Sequence, residues 1–364
     1  MKISFATGIK NGASHYRIEQ PLKLMNELGL ASVLEMTNAT IDLAAAADIF
    51  VIPALYSSVE KTAFLKDGGS KMILDIWDDP FNISPWSPSY SQWGTKEVVI
   101  NTPDGEAVPL WKDKERGLNI AANFDRQQDL KRFLEFADLV TVTTQRLGER
   151  MLPYCRKIRV LPDSIDFTRW DPLPLRKTGD VRLMWGGGSS HYADLRMLEA
   201  PLSKVMAEYP QVRLVLMGEQ FAKGAIKLDG FEDRVERHKW VPICCYPLKM
   251  ASLNIDIGLI PLQGNTFDEC KSPLKWAELG AFGIPAIASG VPPYIDVYNG
   301  NNMALVAENN PDSWFDAIST LVENFGLRGQ IGKAAQDTVK LNYDARSNAK
   351  LWAKVYQEVM SDGN

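Results

Sequence analysis

The sequence is poor in the residues that hold metals and disulfides. Only three histidines and four cysteines occur in 364 residues. Cys155, Cys244, Cys245 and Cys270 fall at no metal-ligand spacing, and adjacent Cys244 and Cys245 make a poor disulfide framework. A reduced, cytoplasmic compartment is the expectation. Long apolar runs are also missing, which excludes an ordinary helical membrane span. The opening "MKISFATGIKNGASHYR" reads as a strand and a polar loop, without the apolar stretch of a signal peptide. Excess positive charge is absent too. Lys and Arg number 40 against 45 Asp and Glu, a net charge of −5. Residues 1–172 carry −3 and the rest −2, so neither half suits a nucleic-acid binder held mainly by electrostatics. No internal repeat or low-complexity segment is present.

What is present is ordinary globular material, 45% hydrophobic and 23% charged, in a chain long enough for two cores. "KISFAT", "ADIFVIPA", "KMILDIWDD", "ADLVTVTT" and "KIRVLP" read as buried strands, with a first helix expected from about Ile18 to Leu28. Strands alternating with helical segments predict an α/β fold with mostly parallel, doubly wound sheets. Ligands of such sheets gather at the carboxyl ends of the strands. Residues 81–124 break the rhythm with Pro, Gly and the tryptophans Trp86, Trp93 and Trp111. They read as an insertion over the ligand face, with a hairpin around "TPDG". The aromatic faces suit sugars or bases, and equally a small core of the insertion's own. The turn-rich stretch 163–180 marks the boundary. "VRLMWGGG", "VRLVLMG", "VERHKWV", "IDIGLIPL", "IPAIAS" and "NMALVAE" then form a second strand series. The expected division is 1–170, 171–342, and a terminal amphipathic helix over 343–364 that packs back toward the first domain.

One short stretch carries the chemistry. In "CKSPLKWAELGAFGIPAIAS", Ser272 reads as an N-cap and Pro273 as the first helical residue, while Gly283 and Pro285 end the helix. Lys271 and Lys275 therefore flank a helix N-terminus, where acidic side chains are the usual complement. An anion between them, such as a diphosphate, resolves the conflict. Glu278 lies about 7.5 Å further along the axis, within reach of ribose hydroxyls beside such an anion. The plain alternative is a solvated helix with Lys275 and Glu278 as a surface pair.

These pieces together resemble the GT-B glycosyltransferases, and most closely their retaining family-four branch. "KIRVLPDSIDFTRWD" resembles the strand and Asn-Gly-x-Asp turn before the linker, with Asp163-Ser164 in place of Asn-Gly. "MWGGGSSHYADLRMLEAPL" resembles the strand, loop and helix that open the nucleotide domain. "CKSPLKWAELGAFGIPAIAS" resembles the donor-site helix, which carries two glutamates separated by seven residues. "GASHYRIEQP", "LDIWDDPF" and "SPSYSQWGTKEV" resemble a bacterial and phage subgroup. The resemblance implies two Rossmann-like domains across a cleft and transfer from a nucleotide-diphosphate sugar to an acceptor hydroxyl with retention. It implies no metal and no cofactor apart from the donor substrate.

Residue by residue, the second family glutamate falls on Glu278, implying a ribose contact. The first falls on Cys270, with Glu269 as a substitute one residue away. The family's Arg and Lys after the first strand of the second domain fall on Gly186 and His191. Lys271 and Lys275 then become the expected phosphate partners, with Ser272 and Leu274 beside them. Gly187, Gly188 and Ser189 are expected to let backbone approach the donor. Gly12, His15 and Arg17 are expected to meet acceptor or diphosphate across the cleft, with Tyr16 turned inward as the alternative. Asp78 and Asp79 are expected to orient the sugar or acceptor, Asp75 to be structural, and Asp163 and Asp166 to be linker turn residues. The acceptor is expected to be a surface glycan or lipid-linked saccharide. Alternatives are hydroxymethylated pyrimidines in phage DNA, a nucleotide-sugar binder without turnover, and a GT-B epimerase.

Overall fold

The computed structural model describes residues 1–361 apart from 8–10, 36–46, 57–62, 64–65, 102–104, 171–178, 219–223, 225 and 307. Two parallel sheets organise the chain. The first contains β1 (Lys2–Phe5), β2 (Ser32–Glu35), β3 (Ile49–Pro53), β4 (Lys71–Ile76), β7 (Leu139–Val142) and β8 (Ile158–Val160). Their order is β2-β1-β3-β4-β7-β8. Between them, β5 (Val98–Asn101) and β6 (Ala107–Trp111) form a separate antiparallel hairpin. The second sheet contains β9 (Val181–Gly186), β10 (Val212–Met217), β11 (Val235–His238), β12 (Ile257–Ile260), β13 (Ala286–Ser289) and β14 (Ala304–Val306). Their order is β11-β10-β9-β12-β13-β14.

Both orders reverse inside the sheet, at β1/β3 and at β9/β12. A crevice opens at such a switch point because successive crossovers leave in opposite directions. The strands are apolar because both faces are covered: "IFVIP" and "IGLI" are buried throughout. The terminal helix Ala345–Ser361 follows a crossover at Ile165 and Asp344. Its Trp352 and Tyr356 join Phe5, Leu22 and Met25 in the core of the first domain.

The sequence misplaces the first helix. It begins at Gly12, capped by Asn11, whose side chain accepts from Ser14 N–H at 2.9 Å while Ser14 Oγ accepts from Asn11 N–H. A π-helical turn, His15–Glu19, follows before the α-helix Gln20–Glu27. The polar "NGAS" looks like loop because its capping residues serve a helix one turn earlier than the apolar pattern suggests. The insertion divides its tryptophans. Trp93 is buried with Phe133, and Trp111 donates from Nε1 to the Pro85 carbonyl. Trp86 instead stacks on Tyr192 of the second domain, with centroids 5.4 Å apart and planes 19° from parallel.

Candidate active site

The helix Leu274–Ala281 enters the crevice of the second sheet. Its N-terminus differs from the capped start expected. Pro273 precedes the helix, no side chain caps it, and the Ser272 hydroxyl donates to Asp163 Oδ2 in the linker. Asp163 is thus a buried partner between domains, whereas Asp166 closes a local turn by accepting from Thr168. The uncapped amides keep their partial positive charge.

Around this end stand Lys271, Lys275 and His191. Lys271 Nζ lies 3.2 Å from Asp268 Oδ1 as an ion pair but makes no well-directed hydrogen bond. Lys275 is pushed down to about 8, first by burial and then by the charge of Lys271. The surface pair with Glu278 does not form, because this face of the helix is turned inward. His191 Nδ1 is 2.7 Å from Asp194 Oδ2, and Asp194 Oδ1 accepts from Gln263 N–H in the loop after β12. Burial, then Lys271 and Lys275, drive the His191 pKa well below its ordinary value. A neutral ring that donates from Nδ1 to a carboxylate exposes Nε2 as an acceptor. At the position the family gives to Lys, His191 thus presents a hydrogen-bonding nitrogen, and Lys271 and Lys275 bring the positive charge.

The glycine loop closes the other side. A Cβ on Gly187 would lie 2.6 Å from the Trp185 ring, so only glycine fits where the chain leaves β9. Gly188 has open space around its Cα, and its carbonyl accepts from His191 N–H. Ser189 begins a single 3-10 turn ending at His191. Leu274 is half-buried, one turn before Glu278 on the same side of the helix.

Glu278 is buried and receives Tyr16 Oη–H at 2.8 Å and Tyr246 Oη–H at 3.2 Å. Its pKa rises to about 7, because burial outweighs the two tyrosines and Lys275. Tyr16 comes from the first domain, so this carboxylate ties the two domains together. The sequence named Tyr16 only as a residue turned inward and did not name Tyr246; their meeting at Glu278 was not legible because the Tyr16 contact spans 262 residues.

The π turn spreads its neighbours in three directions. His15 Nε2 lies 3.1 Å from Arg169 of the linker. Tyr16 reaches Glu278. Arg17 departs from expectation: it is fully buried, forks Asp75 at 3.0 and 2.7 Å, and lies 4.9 Å from the centroid of the Trp352 ring. A guanidinium sealed in that way is a structural anchor, and it gives Asp75 the structural role expected of it. Gly12 is exposed, with no atom near its Cα face. Asp79 also departs from expectation. It is buried, accepts from Arg150 at 2.7 Å and caps its own turn through Phe81 N–H and Asn82 Nδ2. Asp78 is the carboxylate left at the crevice, half-buried, with its pKa raised to about 6 by burial despite Lys271.

Cys270 faces neither the lysines nor solvent. It is buried in the core of the first domain, and its carbonyl accepts from Thr144 at 3.0 Å. Glu269 ends the short helix Thr266–Glu269, and its charge acts on Arg146, Arg150 and Cys270. It does not join the lysine cluster. Among the described residues, no group of three or more His, Cys, Asp or Glu is arranged to hold a metal ion.

Residues 182–324 match the family described as glycosyl transferases group 1. The whole chain has the GT-B fold. It superposes on sucrose-phosphate synthase from Thermosynechococcus elongatus with a TM-score of 0.64, at 14% identity, covering 100% of both chains. Anabaena HepE in complex with UDP and glucose gives 0.67 at 16% identity, covering 98% of this chain and 99% of that one. A glycosyltransferase from Rickettsia africae gives 0.61 at 12% identity, with 99% and 98% covered. No curated protein matches the chain by sequence.

Proposed function

We propose that this GT-B chain is a metal-independent, retaining glycosyltransferase that uses a nucleotide-diphosphate sugar and a saccharide hydroxyl. The observation that carries the reading is the half-buried Lys275 standing beside Lys271 at an uncapped helix N-terminus, with its pKa pushed down to about 8. Such a cation gains from an arriving anion, and a diphosphate meets both lysines and the free amides. The leaving diphosphate gains charge as the sugar departs, so cations already in place lower the barrier. Gly187 and Gly188 bring backbone close to the donor. His191, held by Asp194, offers Nε2 to a hydroxyl. Asp78 stands where the sugar or acceptor would lie. The ribose would take Glu278, and to do so it displaces the Tyr16 hydroxyl. The overall charge of −5 favours a saccharide acceptor over DNA.

HepE, a protein of the same fold, was solved in complex with UDP-glucose. That makes uridine diphosphate sugars the first probes. The test is a thermal-shift and calorimetric screen of UDP, GDP, ADP and CDP and their sugar conjugates. A ligand at 100 times its Kd adds about 2.7 kcal/mol of stability. One binding diphosphate, weakened by Lys271→Ala and by Glu278→Ala in folded protein, supports the site. Unchanged affinity in both variants rejects it. Release of free diphosphate only when a saccharide is added then separates transfer from binding alone and from epimerisation.

A further inference from the structure

Cys244 and Cys245 take no part in the site described above. Both are exposed, and their sulfurs stand 3.6 Å apart. The other two cysteines differ. Burial pushes Cys155 up to about 11 and Cys270 up to about 12, which leaves both as inert thiols. The adjacent pair shares a hydrogen bond, and that bond is the first cause of a raised Cys245 pKa. Cys245 thus keeps the shared proton, and Cys244 is the sulfur that can act as thiolate. The charge of Arg169 in the linker eases ionisation at the pair. The two cysteines also sit in a turn that serves the domain junction. Cys245 N–H donates to the Pro242 carbonyl at 2.8 Å, and Tyr246 N–H to the Ile243 carbonyl at 3.3 Å. Arg169 bonds to that same Ile243 carbonyl at 3.0 Å and lies 3.1 Å from His15 of the first domain. Cys245 directly precedes the helix Tyr246–Ser252, whose Tyr246 hydroxyl holds Glu278.

We propose that Cys244 and Cys245 form a reversible oxidation site, which a peroxide converts to a disulfide between neighbours and which thereby shifts this turn. The Cys244 thiolate attacks one peroxide oxygen. An S–O bond forms as the O–O bond breaks, and the departing hydroxide takes up the proton that Cys244 had released. The Cys245 sulfur then attacks the sulfenic sulfur. The S–S bond forms as the S–O bond breaks, and the second hydroxide leaves with the Cys245 proton as water. The dithiol gives up two electrons, and one hydrogen peroxide becomes two waters. A resolving sulfur already 3.6 Å away intercepts the sulfenic acid before a second peroxide arrives. Adjacent Cα atoms stand about 3.8 Å apart across a trans peptide, against about 4.4–6.8 Å in ordinary disulfides. The ring therefore distorts the turn, and the bond is easily reduced. The strain that makes the pair a poor structural bridge makes it a reversible one. The distortion falls on the Ile243 carbonyl that Arg169 holds and on Tyr246. The inference stands apart from the donor reading, since neither cysteine belongs to that site.

The test is peptide mapping of the full chain after treatment with hydrogen peroxide and then iodoacetamide. The expected product is a peptide holding Cys244 and Cys245 that is lighter by two hydrogens, is not alkylated, and regains both thiols in dithiothreitol. In Cys245→Ser the sulfenic acid has no resolving neighbour, so dimedone should trap it on Cys244. Two alkylated thiols after peroxide, sulfinic acid at either position, or disulfide-linked dimers in place of the ring overturn the site. Tryptophan fluorescence reads the turn, because Tyr246 packs against Trp170 and Trp240 with ring centroids 5.8 and 5.5 Å apart. Oxidation should shift the emission, dithiothreitol should restore it, and the double variant Cys244→Ser, Cys245→Ser should show no such change. A ring that forms while the emission stays unchanged overturns the coupling to the domain junction.

Discussion

At the residue scale, burial decides what the charged side chains can do. Lys275 loses its proton at about pH 8, first through desolvation and then through Lys271. A bound diphosphate favours the charged form and so raises that pKa. Nucleotide binding should therefore take up a proton near pH 8, and affinity should fall as pH rises above it. Calorimetry in buffers of different ionisation enthalpy measures the uptake directly. Glu278 has the opposite sign. Its folded pKa of about 7 lies above the ordinary 4.5, so the folded state holds the extra proton between those values. Stability from this group is greatest below about pH 4.5 and declines as pH rises to 7. The full shift corresponds to a few kcal/mol, on the order of 3. Glu278→Gln should flatten that part of the pH profile in urea titrations. An unchanged slope would place the titration elsewhere.

At the scale of elements, two contacts control how the crevice is assembled. The turn after β9 admits only glycine at 187. Gly187→Ala should cost about 1–3 kcal/mol, the range for overpacking against a fully buried ring. It should also misplace His191, whose amide bonds to the Gly188 carbonyl. A urea denaturation midpoint equal to wild type would show that Trp185 can yield. The π turn and the helix Leu274–Ala281 meet through Tyr16 and Glu278. Tyr16→Phe removes one neutral-to-carboxyl hydrogen bond while Tyr246 keeps the other. A stability loss of about 1 kcal/mol is expected. If the ribose competes for Glu278, the same variant should bind the nucleotide more tightly, because no phenol need be displaced. Weaker binding would instead make Tyr16 part of the donor contact.

At the scale of the molecule, the domains are joined by a few specific contacts: Tyr16 to Glu278, Thr144 to Cys270, Ser272 to Asp163, Arg146 to Asp296, and Trp86 on Tyr192. Arg146 and Asp296 are each 43% exposed, so that pair contributes at most about 1 kcal/mol. A double-mutant cycle should return a value in that range. The terminal helix matters far more. Trp352 and Tyr356 are sealed in the first domain's core, so ending the chain at Tyr343 leaves Phe5, Leu22 and Arg17 facing water. That truncated chain should fail to show a cooperative thermal transition, while an intact second domain alone should retain one.

The sequence by itself determined the α/β architecture, the two strand series and the apolar helix within residues 270–289. Those features rest on local periodicity, on glycine and proline at element ends, and on residues close together in the chain. His191 was legible from the loop motif after the first strand of the second domain, whereas its bond to Asp194 came from the structure. Only the tertiary structure decided the partners. It gave Arg17 to Asp75, Asp79 to Arg150, Ser272 to Asp163 and Tyr16 to Glu278, at separations of 58 to 262 residues. It also turned Cys270 into the core of the other domain. Which charge meets which, and how far each is removed from water, depends on how the sheets pack. No local pattern encodes that distance, and the protonation of Lys275, His191 and Glu278 follows from it.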